Sequence, residues 1–117
     1  NGSCNALLYL PDEELLICGY GSGKLMAFDI RQRCMLNIDS FGKKSCHKSS
    51  VVDVAYSPAH NIFSTASSDG CVKLWDSHTL NLKYTYENIH DSVTNISFHG
   101  DHMYTSGTDG RMLMYNC

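Results

Sequence analysis

An all-β fold assembled from repeated four-stranded units is what this sequence predicts, and three observations carry the prediction. One stretch is written three times with small changes: Gly21 to Ile30 (GSGKLMAFDI), Ser68 to His78 (SDGCVKLWDSH) and Thr108 to Cys117 (TDGRMLMYNC). Ser22, Asp69 and Asp109, at the matching turn, stand 47 and 40 residues apart, near the period of roughly 40–45 residues of a four-stranded propeller blade. Between these stretches, short runs alternate with period two and break at turn residues, while no window shows helical spacing.

The elements follow in order. In the first unit, strands are predicted over Cys4–Leu10, Leu15–Gly19, Lys24–Asp29 and Met35–Asp39, with Pro11-Asp12-Glu13 as the first turn. The middle unit has Val51–Tyr56, then the turn Ser57-Pro58-Ala59-His60-Asn61, then Ile62–Ser67. Ser68-Asp69-Gly70 is a tight turn in which Gly supplies φ > 0, leading into Cys71–Asp76. A fourth strand over Asn81–Tyr86 puts Leu82, Tyr84 and Tyr86 on one face. The third unit has Val93–Phe98, Met103–Ser106 and Arg111–Asn116. The fold class is therefore two four-stranded units plus three strands of a third, with boundaries near 1–40, 47–86 and 90–117. The connection containing Ser40 to Cys46 is five residues longer than its counterpart, and such differences belong at turns.

Bulk properties narrow the class. Hydrophobic content of 43% and charged content of 18% are those of a globular chain. A net charge of −3 gives no electrostatic argument for nucleic acid or anionic lipid as a partner. No stretch reaches the roughly 18 apolar residues of a membrane span, and the start shows neither Met nor a signal peptide. The six cysteines (Cys4, Cys18, Cys34, Cys46, Cys71, Cys117) show no C-x-x-C spacing and read as free thiols of a reducing compartment, cytoplasmic or nuclear. The N-x-S/T triplets at Asn1 and Asn95 read as chance in such a chain. Repeats of this kind cannot bury their faces alone, so the chain is expected to be part of a larger protein. Expressed by itself, it is expected to aggregate or bind dye.

His47, Val51-x-x-Val54-x-Tyr56, Thr65-Ala66-Ser67-x-Asp69-Gly70 and Leu74-Trp75-Asp76 resemble the WD-repeat pattern throughout. The third unit resembles it more loosely, with His90, Val93-x-x-Ile96-x-Phe98, Thr105-Ser106-Gly107-x-Asp109-Gly110 and Tyr115-Asn116. The first departs furthest, with Phe28-Asp29 in place of Trp-Asp and Ser22 in place of the turn Asp. The resemblance implies a partial WD-repeat β-propeller. Family propellers usually close with seven blades, so the remaining blades are expected from the same parent chain.

In that family a His before the first strand, a Ser or Thr on the second, the turn Asp and the Trp form a hydrogen-bonded tetrad. The resemblance places it at His47, Thr65, Asp69 and Trp75 in the second blade. In the third it falls on His90, Thr105, Asp109 and Tyr115, whose hydroxyl has a different reach from an indole N–H. In the first, Cys18 and Phe28 stand at these positions, and that blade is expected to rely on packing. A Ser/His/Asp catalytic triad is the other chemistry such residues suggest, but no nucleophile or oxyanion site can be placed beside either His, so no enzyme is expected. His99, His102 and the Cys46-His47 pair lack the four N/S donors of a zinc site, and the Gly19–Gly23 cluster lacks a following helix. No metal and no cofactor are expected.

The resemblance also implies which side chains line the top face: Ser50, Val52 and Ser68, then Ser92, Thr94 and Thr108, with Ser3, Asn5 and Gly21 by looser analogy. All are small and uncharged, suited to a partner's backbone or an inserted side chain. Lys43, Lys44 and Lys48 form the basic cluster, with Lys43 and Lys44 a candidate contact for an acidic partner. The function expected is a non-catalytic protein–protein interaction scaffold, binding peptides or subunits. The alternative is a structural spacer packed against other domains of the parent.

Overall fold

The computed structural model describes residues 3–38 and 47–116. Within these residues, eleven strands form three antiparallel sheets, each in chain order. The first holds β1 (Cys4–Leu10), β2 (Leu15–Tyr20), β3 (Leu25–Asp29) and β4 (Cys34–Asn37). The second holds β5 (Val51–Ser57), β6 (Ile62–Ser67), β7 (Val72–Asp76) and β8 (Leu82–Tyr86). The third holds β9 (Val93–His99), β10 (His102–Gly107) and β11 (Met112–Asn116). Strand ends match the sequence reading to within one residue, apart from the fourth, whose expected end at Asp39 lies outside the described residues.

The sheets stack face to face through their inner strands, with β5 against both β1 and β9. Period-two alternation explains which side chains meet, because every second residue shares a face. At the first joint Leu10, Leu15, Ile17, Leu25, Ala27 and Ile38 bury themselves against Val51, Val54, Phe63 and Trp75. At the second, Ala66 and Val72 meet Val93, Ile96 and Met103, with Val52, Ala55, Leu74, Tyr86, Phe98 and Tyr115 packed around them. Strand β6 lies between both joints and is buried at all six positions, which is why it reads Ile-Phe-Ser-Thr-Ala-Ser rather than half polar.

Backbone bonds pin each sheet to the next. The His47 N–H donates to the Gly23 carbonyl at 3.1 Å, and the Ile89 N–H donates to the Gly70 carbonyl at 3.1 Å. Both glycines are left-handed, with φ of +90° and +86°, and a Cβ there would overlap the carbonyl oxygen of His47 or His90. A residue with a side chain is therefore excluded twice, by torsion and by space. Asp53 adds a side-chain link across the second joint: its carboxylate accepts the Ile96 N–H at 2.9 Å as well as its neighbour's N–H at Val54. At the opposite end of the blades, Glu13 contacts His78 and Asp101 lies 3.3 Å from His60, again from blade to blade.

Candidate functional site: the blade corners and the top rim

The tight turns at Ser22, Asp69 and Asp109 mark one end of the stack, the top. In the second blade, the His47 ring is fully buried, with Nε2 at 2.7 Å from Thr65 Oγ1. The Trp75 indole N–H donates to the same Thr65 oxygen at 3.0 Å. One hydroxyl thus serves two rings, accepting from the indole N–H and sharing a hydrogen bond with the imidazole. His47 Nδ1 stands 4.0 Å from the Asp69 carboxylate, beyond hydrogen-bond length. Burial pushes the imidazole down to about 4, against the pull of Asp69 and with the Lys73 charge adding to it, so the ring is neutral at pH 7.

Asp69 ties its corner through backbone instead. Its two oxygens accept the Lys48 N–H and the Cys71 N–H, each at 2.9 Å. Burial raises this carboxyl, but those N–H bonds, His47 and Ser67 outweigh it and hold it below its ordinary value. The His-bearing loop is thereby fastened to the β6–β7 turn.

The third blade arranges the same residue types differently. His90 Nδ1 lies 3.0 and 3.1 Å from the two Asp109 oxygens, and Nε2 lies 3.0 Å from Thr105 Oγ1. Asp109 also accepts the Arg111 N–H at 3.0 Å and faces its guanidinium at 3.3 Å. Desolvation raises the Asp109 carboxyl, yet Arg111 and His90 together pull it down to about 2. Tyr115 stands in register with Met103, as Trp75 does with Phe63, but it leaves the relay. Its ring packs on Tyr86, centroids 4.6 Å apart, at the outer part of the second joint.

The first blade has neither arrangement. Cys18 and Phe28 stand at the relay positions; Cys18 is buried and its thiol is pushed up by burial and by nearby Cys4. Cys4, Cys18, Cys34 and Cys71 are free thiols.

On the top rim the three blades repeat one device. A bulge interrupts the inner strand at Asn5, at Val52 and at Thr94, where a bulge re-aims a side chain. Just before each inner strand, a carbonyl accepts the N–H of the residue ahead of the turn: Ser3 from Gly21 at 2.8 Å, Ser50 from Ser68 at 3.0 Å, Ser92 from Thr108 at 3.0 Å. Side chains join the rim sideways. Asn5 donates to Ser50 Oγ across the first joint at 3.0 Å, Ser49 and Ser68 share a 2.7 Å bond, and Thr94 donates to the Ser106 carbonyl at 3.1 Å.

Val52 differs from the other rim residues in packing on the core of the second joint, where it supplies apolar cover. Lys43 and Lys44 lie outside the described residues. Sequence reasoning overlooked Ser49 and Ser67, although Ser67 donates to the Ser49 carbonyl at 3.2 Å and accepts the Asp69 N–H at 3.2 Å. The consecutive hydroxyls of Ser67 and Ser68 before the turn Asp were the available signal. Among the described residues, no group of three or more His, Cys, Asp or Glu is placed to hold a metal ion. Among the described residues, no helix is long and apolar enough to cross a membrane.

Antiparallel sheets of four, four and three strands, stacked through their inner strands and fastened at one end by His-bearing loops, define a stretch of β-propeller. A family model described as WD domain, G-beta repeat, matches residues 39–76, and the chain is a partial WD-repeat propeller. Human DmX-like protein 1 is 30% identical over 125 residues, covering 97% of this chain and 4% of that protein. Ribosome biogenesis protein YTM1 of Debaryomyces hansenii is 33% identical over 82 residues, covering 68% of this chain and 18% of that protein. Among solved structures, the WD40 repeats of RRP9 superpose with a TM-score of 0.84 at 16% identity, covering 99% of this chain and 36% of that one. The chain thus spans a small part of the relatives it matches, and its three blades form a partial propeller.

Proposed function

We propose that the chain is a non-catalytic interaction scaffold whose top rim receives a peptide or subunit of a partner protein. The observation that carries this reading is the rim device written in all three blades, a bulged residue beside a bonded pair of small uncharged residues. Ser50, Ser68, Ser92, Thr94 and Thr108 offer hydroxyls and carbonyls to an extended backbone, and nothing in that set grips phosphate as Arg does. WD-repeat propellers are generally interaction modules, which supports the same reading. The side chains of His47 and His90 are sealed from solvent, which favours a fastening role for both tetrads over proton exchange with a substrate.

In this reading Lys43 and Lys44 add a contact for an acidic segment, and the remaining blades come from the same parent chain. The protein works in the cytoplasm, with the nucleus as the alternative that a relative named for ribosome biogenesis supports. The spacer reading draws on the apolar outer faces of the first and third blades.

The two readings separate by experiment. Ser50→Lys, Ser68→Lys, Ser92→Lys and Thr108→Lys together, in the full-length parent, are expected to abolish partner capture by affinity purification while the melting temperature holds. Unaltered capture in that folded variant would sink the top-rim reading and leave the spacer.

A further inference from the structure

The second and third blades are entered through loops of one design and opposite charge. Each loop runs from a buried His to an inner strand, over the left-handed glycine of the blade before it, Gly23 or Gly70. Both loops therefore lie over joints made by two blades of this chain. The residue after the His is Lys48 in one loop and Asp91 in the other, and both are exposed. Neither side chain joins an ion pair among the described residues.

The surrounding charges leave this contrast standing. Asp69 and Asp109 are only 13% and 14% exposed, and their oxygens are taken by the N–H donors of their own corners. The Arg111 guanidinium is drawn onto Asp109 and the Ile89 carbonyl. Lys24 follows Gly23, whose carbonyl holds the His47 N–H, and so adds positive charge beside the Lys48 loop. Glu87 lies four residues before Asp91 and adds negative charge to the other approach. The Lys48 loop is also one residue longer, with three residues between His47 and Val51 against two between His90 and Val93. The additional residue is Ser49, whose hydroxyl shares a 2.7 Å bond with Ser68. A carboxylate arriving beside Lys48 therefore meets a hydroxyl pair as well as an ammonium.

We propose that the top rim reads its partner by charge order: an extended segment of a partner protein crosses both joints, with an acidic side chain at Lys48 and a basic one at Asp91. Packed sheets stand about 10 Å apart and an extended chain rises about 3.3 Å per residue. The two charges therefore fall within about two to four residues of each other in the partner. Exposed pairs of this kind add little affinity but fix register and exclude wrong partners. The inference rests on the top-rim reading and supplies the partner's charge pattern.

Fluorescence anisotropy on the full-length parent tests this with labelled Ser/Thr peptides that carry Glu and Lys two or four positions apart. Matched peptides have Gln in place of either charge or both. At one of the two spacings, each charge is expected to tighten binding by about two- to fivefold over Gln. Lys48→Gln is expected to erase the gain from Glu and leave that from Lys, and Asp91→Asn the reverse, while Lys48→Arg keeps both. The proposal is overturned if no peptide binds, if the double-Gln peptide matches the charged one at both spacings, or if the gain from Glu survives Lys48→Gln. Failure of the rim reading itself looks different: partner capture then survives the four lysine substitutions at Ser50, Ser68, Ser92 and Thr108. Capture that those four abolish, but that Lys48→Gln and Asp91→Asn leave unchanged, would overturn the charge order alone.

Discussion

The second and third blades place His, Thr and Asp at equivalent positions on equivalent strands and both bond His to Thr, yet only the third closes the contact from His to Asp. In the second, His47 leans inward on Thr65 and Trp75 and misses hydrogen-bond contact with Asp69. In the third, His90 grips Asp109 and Thr105, while Tyr115 turns away to Tyr86. The indole explains the difference. Trp75 is fully buried, stacks on Phe63 at 6.1 Å between centroids and carries a donor that reaches Thr65. The phenol of Tyr115 bears its polar atom at the ring's far end, and its ring lies outward on Tyr86. A repeat motif thus specifies a set of available partners more tightly than it specifies the bonds made among them.

The largest effect that would break this comparison is at the ring positions. Trp75→Ala is expected to cost about 3–5 kcal/mol, the range for a buried aromatic, and Tyr115→Ala less than half of that, by urea denaturation of each variant. Equal losses would show that Tyr115 anchors its blade as Trp75 does.

Acid comes next. His47 takes up protons less readily folded, at about 4, than unfolded, at 6.5. The unfolded state therefore binds more protons in this window, and stability falls as pH drops from 6.5 toward 4, by about 3 kcal/mol at most. Below that, the depressed carboxyls of Asp69 and Asp109 add their own loss as pH falls beneath 3.8. A His47→Gln chain is expected to show a flat stability profile between pH 6.5 and 4, and persistence of the wild-type slope would assign it elsewhere.

The hydroxyl positions give a finer test. Thr65→Val strands a buried indole N–H and an imidazole, whereas Thr105→Val strands an imidazole alone. At about 1–3 kcal/mol per unsatisfied group, the first is expected to cost roughly twice the second. The smallest effect has the opposite sign. Ser64 Oγ is buried at the second joint with no hydrogen-bond partner among the described residues, and its register partner Leu74 is apolar. Ser64→Ala is expected to raise stability by up to about 1 kcal/mol, read as an upward shift in melting temperature.

Much of this molecule was legible before its structure. Strand order and turn positions followed from period-two runs and Gly-bearing turns, since alternation leaves only one way to bury half of each strand. The grouping of His47, Thr65, Asp69 and Trp75 at one corner followed from the repeat resemblance, and the structure brings the four to that corner. The lateral links did not show. Asp53 reads as an ordinary polar residue of an alternating strand, and only the packing of β5 against β9 aims it at the Ile96 N–H. Val52 reads as a rim residue because it follows the opening Val51, but the bulge there lays it on the second joint.

The sequence by itself determined three sheets, their strand order and the repeated turns, because hydrophobic period and glycine torsion act within a few neighbouring residues. Only the tertiary structure decided whether His47 or His90 reaches its Asp. A difference of 4.0 against 3.0 Å depends on how whole sheets sit against one another and on what each ring must pack beside, and no local pattern records it.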